Sequence, residues 1–97
     1  MRKQLSISAP VLKRILELPK DERSACSIAL LGIPAAFGNA HEHSGLGIRK
    51  LRGDIFECRA GLKMRLLFVN RSTEIYVFLA GNHEDVQRFL RSGLLQP

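Results

Sequence analysis

The sequence lacks the short motifs that mark several large classes of enzyme and membrane protein. It contains no Cys-x-x-Cys, His-Glu-x-x-His or Walker-type glycine loop, which disfavours thioredoxin-like, zinc-protease and P-loop functions. Its longest apolar stretch, 28–37, is interrupted by glycine and proline and is too short to span a bilayer. The first residues, MRKQLSIS, lack the apolar core of a signal peptide. We therefore expect a cytoplasmic protein with no membrane partner, no cofactor and no metal site.

Acidic residues are scarce relative to basic ones. Nine Asp and Glu residues stand against fifteen Lys and Arg, the formal net charge is +6, and arginine outnumbers lysine ten to five. Because a guanidinium binds phosphate or carboxylate through two parallel hydrogen bonds, this bias favours a nucleic acid or an acidic protein as partner. The alternative is a solvated basic surface that binds nothing.

Cysteine is also rare. Cys26 and Cys58 each lie within an apolar pattern, and we expect two buried reduced thiols, although the count permits a disulfide. At 97 residues, 45% of them apolar, the chain has the size and composition of one folded domain, residues 1–97.

The first half of the chain is predicted to be helical after a short strand at 4–7. A helix that begins at Pro10 and ends before Pro19 carries its apolar residues on one face. A second helix, capped by Asp21, is expected to end at the Gly32–Pro34 segment. The predicted buried residues of these two helices are Val11, Leu12, Ile15, Leu16, Ala25, Ile28 and Ala29.

The second half of the chain alternates with a period of two. Predicted strands at 48–51, 55–60, 64–69 and 74–80 are joined by short turns, which favours an antiparallel meander. A last helix is predicted over His83–Ser92, with an apolar stripe of Val86, Phe89 and Leu90.

Alternation in the two central strands separates apolar from charged side chains. The apolar face, which is expected to pack under the helices, contains Phe56, Cys58, Met64, Leu66 and Phe68. Arg59 and Arg65 lie on the opposite face together with Glu57. Because burial of an unpaired guanidinium is costly, we expect both arginines on a surface that faces solvent or a ligand.

Three segments carry a resemblance to a known family. They read LELPKDE, IRKLRGDIFECRAGLKMRLLF and VFLAGNHEDVQRFL, and their order and spacing resemble the RelE/ParE superfamily of bacterial toxins over nearly the whole chain. The resemblance implies an α+β fold with a short N-terminal strand, a two-helix hairpin on an antiparallel sheet of about four strands, and a C-terminal helix. It also implies the toxin of a type II toxin–antitoxin pair.

The resemblance assigns roles to individual residues. Arg65 takes the place of an arginine that contacts phosphate in RelE-like nucleases, and Arg59 lies near a second basic position. His83, in a Gly-Asn-His turn, resembles the catalytic histidine of HigB- and YafQ-like toxins. His43 resembles a loop histidine of YafQ-like members.

Two positions depart from the family pattern. Glu57 stands about where RelE has a catalytic lysine, and Phe89 replaces a terminal tyrosine. These departures favour a histidine-dependent mechanism or the absence of cleavage.

Metal-free cleavage of RNA needs a proton acceptor, a proton donor and cations that stabilise the phosphorane. Histidine suits either proton role and arginine suits the third. His83 is therefore predicted as the general acid or base, His43 as the complementary group, and Arg65 and Arg59 as the phosphate clamp. The residues expected to guide RNA or the ribosome are Arg49, Lys50, Arg52 and Lys63.

Each of these assignments has a structural alternative. His83 could cap the last helix, and His43 could be a solvated loop residue. Arg65 could pair with Glu57 across the strands, and the basic residues of 49–52 could protect an exposed sheet edge from aggregation.

Three functions remain open at this point. They are a ribosome-dependent mRNA endoribonuclease that inhibits translation, a ParE-like inhibitor of DNA gyrase that performs no chemistry, and a family member that only binds an antitoxin. In each case we expect a cognate acidic antitoxin, in a toxin–antitoxin hetero-oligomer, because complementary charge increases association rate and specificity. The expected partners are mRNA and the ribosome in the first case and gyrase in the second.

Overall fold

The computed structural model describes residues 3–36 and 47–92 of the 97-residue chain. These residues form eight elements in an α+β arrangement, as the sequence predicts. In chain order they are β1 (Gln4–Ile7), α1 (Ala9–Leu16), α2 (Lys20–Ala36), β2 (Arg49–Arg52), β3 (Ile55–Ala60), β4 (Met64–Asn70), β5 (Glu74–Gly81) and α3 (His83–Ser92). Among them, no helix combines the length and hydrophobicity of a transmembrane span.

The strands form one sheet in the order β1-β5-β4-β3-β2. The last four strands in the chain pair antiparallel, so the predicted meander is confirmed. β1 joins as a fifth strand and runs parallel to β5, with Gln4 opposite Glu74. A parallel pair requires a long crossover connection, and the chain between β1 and β5 provides it.

The ends of the first two helices differ in part from the prediction. The Ser8 hydroxyl accepts a hydrogen bond from the Val11 N–H at 3.3 Å, which caps α1. α2 begins at Lys20, so Asp21 lies in its first turn and is not its cap, and the helix continues past Pro34 to Ala36. Ile33 and Ala36 are fully buried, and this packing offsets the hydrogen bond that a proline removes.

The buried faces of α1 and α2 are rotated relative to the prediction. Val11 and Ile15 are buried, but Leu12 and Leu16 are 47% and 62% exposed, and Ile28 is 69% exposed. The buried residues of α2 are Cys26, Ala29, Leu30, Ile33 and Ala36. The side chains of consecutive residues on a helix point about 100° apart. When one of two adjacent apolar residues packs against the sheet, the other therefore points towards solvent.

The main core lies between these two helices and the sheet. Cys58, Leu66 and Phe68 belong to it, as the strand alternation predicts. Cys26 and Cys58 are free thiols within this core, and burial is the main cause that raises the pKa of Cys58 to about 12. Burial also raises the pKa of Cys26, so both thiols are uncharged at neutral pH.

The opposite face of the sheet is covered in part by α3. Ile55, Leu67 and Val86 are buried outside the main core, and the rings of Phe78 and Phe89 lie 5.3 Å apart between β5 and α3. The arginine-bearing face is thus apolar where α3 covers it, and its charged residues lie beside the helix.

Candidate functional site

Two arginines face each other on neighbouring strands, close to the turn that joins β3 and β4. Arg59 in β3 and Arg65 in β4 are paired directly in the antiparallel register. Arg59 is exposed and Arg65 is half-buried. Neither forms an ion pair with any residue of the described ranges, and Arg65 makes only a 3.4 Å contact from Nη1 to the Met64 carbonyl. Two guanidinium groups are therefore left with unused donors on one face.

These arginines line a cavity of about 480 Å³ together with His83. The other described residues that line it are Gly47, Ile48, Arg49 and Glu57. Three strands and the start of α3 thus contribute to one basic concavity. The structure brings together Arg59, Arg65 and His83, which the sequence assigned to one site.

A glycine that lines the cavity leaves space for the side chain of Arg59. Gly47 has φ of +64°, a conformation that side chains other than glycine rarely adopt. A Cβ atom at this position would lie 2.5 Å from Arg59 Nε and 3.0 Å from Nη2. The guanidinium of Arg59 therefore lies directly against the backbone just before β2.

Among the described residues that line this cavity, Glu57 is the one acidic side chain. It is 4% exposed, and its Oε1 atom accepts a hydrogen bond from Arg49 Nε at 2.9 Å. Glu57 is opposite Arg49 in the β2–β3 register. The alternative in which Glu57 neutralises Arg65 is therefore wrong, because the described ion pair of Glu57 is with Arg49, and Leu67, not Arg65, faces Glu57 on β4.

His83 is the first residue of α3 and is exposed. The helix is capped by Asn82, whose Oδ1 atom accepts a hydrogen bond from the Asp85 N–H at 2.9 Å. The alternative in which His83 caps the helix is therefore wrong. Within the described part of the chain the imidazole has no hydrogen bond or ion pair, so both ring nitrogens are available to a ligand.

The other predicted binding residues are dispersed. Arg49 lines the cavity, and Lys50 is exposed on the same strand. Arg52 donates to the Leu90 carbonyl at 2.8 Å and so binds the C-terminal turn of α3. Lys63 lines a second cavity of about 410 Å³, beside Pro19 and α2, and is not among the residues that line the cavity of the arginine pair. His43 lies outside the described residues.

Three residues at the site have roles that the sequence did not indicate. Strand alternation placed Glu57 on the same face as Arg59, but its ion pair with Arg49 was not predicted. Asn82 was noted only as part of the Gly-Asn-His turn, and Gly47 was assigned no role. Across residues 3–36 and 47–92, no group of three His, Cys, Asp or Glu side chains is arranged to hold a metal ion.

No protein-family model matches this sequence, and no curated protein matches it significantly. Solved structures do match. A mutant of the E. coli toxin RelE in the free state superposes with a TM-score of 0.70 at 18% identity, covering 98% of this chain and 100% of that chain. The chain has the fold of the RelE toxins.

Further structures support the RelE fold. RelE in the RelE–RelB complex from Pyrococcus horikoshii gives a TM-score of 0.66 at 18% identity, covering 84% of this chain and 96% of that chain. The YoeB–YefM complex from Staphylococcus aureus gives 0.58 at 14% identity, over 86% of this chain and 99% of that chain. At these identities the likeness establishes the fold alone.

Proposed function

We propose that this protein is the toxin of a type II toxin–antitoxin pair and acts as a ribosome-dependent mRNA endoribonuclease. The observation that carries the proposal is the cavity in which Arg59 and Arg65, both without a carboxylate partner in the described chain, meet His83. Two guanidinium groups with free donors suit a phosphate, and an imidazole with free nitrogens suits proton transfer. The RelE fold is consistent with this function.

The proposed reaction is an attack by the ribose 2′-oxygen on the adjacent phosphorus. The 2′-hydroxyl loses its proton to a base as the O2′–P bond forms, and the P–O5′ bond breaks as the 5′-oxygen takes a proton from an acid. The products are a 2′,3′-cyclic phosphate and a 5′-hydroxyl. Arg59 and Arg65 stabilise the negative charge that builds up on the non-bridging oxygens.

We assign the acid to His83 and the base to Glu57. Both line the cavity, and an imidazole and a carboxylate divide the two proton transfers between them. Arg49 holds the Glu57 carboxylate at 2.9 Å and so fixes its direction. His43 stays the predicted alternative for the base.

The decisive experiment is cleavage of mRNA on programmed ribosomes by the purified protein. We expect wild-type cleavage, and a loss of about 10²-fold or more in His83→Ala and in Arg65→Ala. Lys13→Gln, which removes an exposed cation on α1, serves as the charge control and should cleave like wild type. Unchanged cleavage by both site variants would overturn the assignment.

The base is identified in the same assay by two further variants. Glu57→Gln should lose cleavage and His43→Ala should retain it. The opposite pattern would transfer the role to His43. A protein that leaves mRNA intact but blocks DNA supercoiling by gyrase would instead support the ParE-like function.

We also propose that an acidic antitoxin covers the basic edge of the sheet. β2 is the terminal strand of the described sheet, and Arg49, Lys50 and Arg52 are exposed on it. Among the structural neighbours, RelE was solved with RelB and YoeB with YefM. An acidic strand or helix would neutralise this edge and close access to the cavity beside it. Binding of an acidic protein encoded by the neighbouring gene, weakened by salt, is the expected result.

A further inference from the structure

The turn that precedes α3 is held by an aspartate that takes no part in the proposed chemistry. Asp85 Oδ2 accepts a hydrogen bond from the Asn82 backbone N–H at 2.9 Å, and the Asp85 N–H donates to Asn82 Oδ1 at 2.9 Å. This reciprocal arrangement satisfies two backbone donors at the start of the helix. His83 lies between the two bonded residues, so its backbone is fixed from both sides.

Two arginines hold the same carboxylate from other directions. Arg88 Nη1 lies 3.0 Å from Oδ1, and Arg14 Nη2, in α1, lies 3.4 Å from Oδ2. The Asp85 side chain is 24% exposed. The hydrogen bond from the Asn82 backbone is the main cause that lowers the pKa of Asp85, and both arginines contribute. The carboxylate is therefore ionised at neutral pH and connects the start of α3 to α1.

Gly81 provides the space for this carboxylate. A Cβ atom at position 81 would lie 2.6 Å from both the Cβ and Oδ2 atoms of Asp85. Such a distance is far inside van der Waals contact, so a larger residue here would displace the aspartate from the turn. Gly81 and Asp85 thus form one structural unit around His83.

We propose that Asp85 is the positioning residue that sets His83 over the Arg59–Arg65 pair. The imidazole has no hydrogen bond of its own within the described residues, so its place in the cavity is determined by the backbone of the turn. Because proton transfer requires the donor within hydrogen-bonding reach of the leaving oxygen, a small displacement of the turn reduces the rate. This inference rests on the proposed nuclease function.

The test compares kcat and KM for mRNA cleavage on ribosomes. Asp85→Ala should lower kcat by about 10-fold to 10²-fold and change KM little, since the phosphate-binding arginines are untouched. Asp85→Asn, whose amide oxygen still accepts from the Asn82 N–H, should restore most of kcat. Gly81→Ala should reproduce the Asp85→Ala defect without altering the carboxylate itself.

The matched control is Glu84→Gln. Glu84 is exposed in the same first helical turn, and the substitution removes one negative charge while leaving the cap intact. If loss of a negative charge alone matters, Glu84→Gln and Asp85→Ala should lower kcat equally. A positioning role predicts that Glu84→Gln keeps the wild-type kcat.

A double-mutant cycle separates positioning from general destabilisation. In a His83→Ala background, Asp85→Ala should cause no further loss of kcat, because it acts through the imidazole. Additive losses would overturn the proposal. So would a wild-type kcat in folded Asp85→Ala or, if that variant does not fold, in folded Gly81→Ala.

An NMR measurement that does not depend on cleavage tests this inference separately from the proposed function. The NMR resonances of the His83 ring, assigned by their loss in His83→Ala, should shift in Asp85→Ala well beyond their shift in Glu84→Gln. If the wild-type protein does not cleave mRNA but the His83 resonances shift in Asp85→Ala, the nuclease function is refuted and the positioning by Asp85 is not. Equal ring resonances in the two variants refute the positioning by Asp85.

Discussion

Arg59 and Arg65 are direct cross-strand neighbours beside the turn that joins β3 and β4, and neither forms an ion pair with a described carboxylate. Two like charges facing each other across antiparallel strands destabilise a sheet. The fold therefore retains a pair that costs stability, which is typical of a binding site for an anion.

This repulsion predicts that Arg59→Gln stabilises the free protein. The free energy of unfolding in urea should rise by about 0.2–1 kcal/mol at low ionic strength, and the gain should shrink in high salt because the repulsion is screened. Affinity for inorganic phosphate should fall in the same variant. Lys13→Gln, which removes a cation with no ion pair in the described chain, should change neither quantity. A less stable Arg59→Gln protein would contradict the repulsion.

Gly47→Ala should weaken anion binding by moving Arg59. The new Cβ would lie 2.5 Å from Arg59 Nε, and the guanidinium would leave its place over the backbone. We expect phosphate affinity to fall roughly tenfold, since a hydrogen bond to a charged group contributes about 1.5–3 kcal/mol.

Gly53→Ala is the control for that experiment. Gly53 also has a positive φ, of 49°, but lies in the turn between β2 and β3. Both substitutions should cost about 1–2 kcal/mol in backbone strain, and only Gly47→Ala should weaken phosphate binding. Equal phosphate affinity in the two variants would show that Gly47 does not place Arg59.

Protonation of Glu74 at low pH should weaken the attachment of β1 to the sheet. Hydrogen bonds from Ser6 and from Arg71 lower the pKa of Glu74 below its ordinary value of 4.5. A carboxyl whose pKa is lower in the folded state stabilises the fold fully above its unfolded pKa. That contribution is lost as the pH falls through the folded pKa.

The measurement is amide hydrogen exchange in β1 as a function of pH. After correction for intrinsic exchange rates, protection of 5–7 should fall as the pH drops below 4.5, the ordinary pKa of Glu74. Glu74→Gln should abolish that pH dependence. Asp54→Asn, at an exposed turn carboxyl, should leave it intact.

Adjacent leucines in α2 should differ sharply in their effect on stability. Leu30 is 7% exposed and Leu31 is 78% exposed. Leu30→Ala should cost about 2–4 kcal/mol of unfolding free energy, whereas Leu31→Ala should stay within about 0.5 kcal/mol. Denaturant unfolding of the two variants compares the same substitution on two faces of one helix.

The strands were more predictable than the helices for a physical reason. In a strand, alternate residues point to opposite faces of the sheet, so the apolar set determines which face is buried. The sequence therefore predicts the burial of Cys58, Leu66 and Phe68 and the outward position of Arg59. In α1 the paired residues Val11–Leu12 and Ile15–Leu16 make a broad apolar stripe, and only the tertiary contact determines which member of each pair is buried. The same applies to Ile28 and Ala29 in α2.

The candidate site was predictable to the extent that it depends on strand parity. Arg59 and Arg65 follow from the alternation, and His83 came from a turn motif. The pairing of Glu57 with Arg49 depends on the register between β2 and β3, which shifts between Lys50 and Arg52, and no sequence pattern indicated that shift. The reach of Arg52 to the Leu90 carbonyl spans 38 positions and likewise requires the folded chain.

The parallel pairing of β1 with β5 has a consequence for the order in which the protein is made. Ser6 and Glu74, which form a hydrogen bond at 2.7 Å, are 68 positions apart, so β1 leaves the ribosome well before β5, the strand it pairs with. Contacts this distant in sequence form late and slowly. In a nascent chain that stalls before β5 is complete, β1 would therefore remain unpaired. β4, which carries Arg65, would lack its neighbour β5, and the turn that carries His83 would not yet have formed.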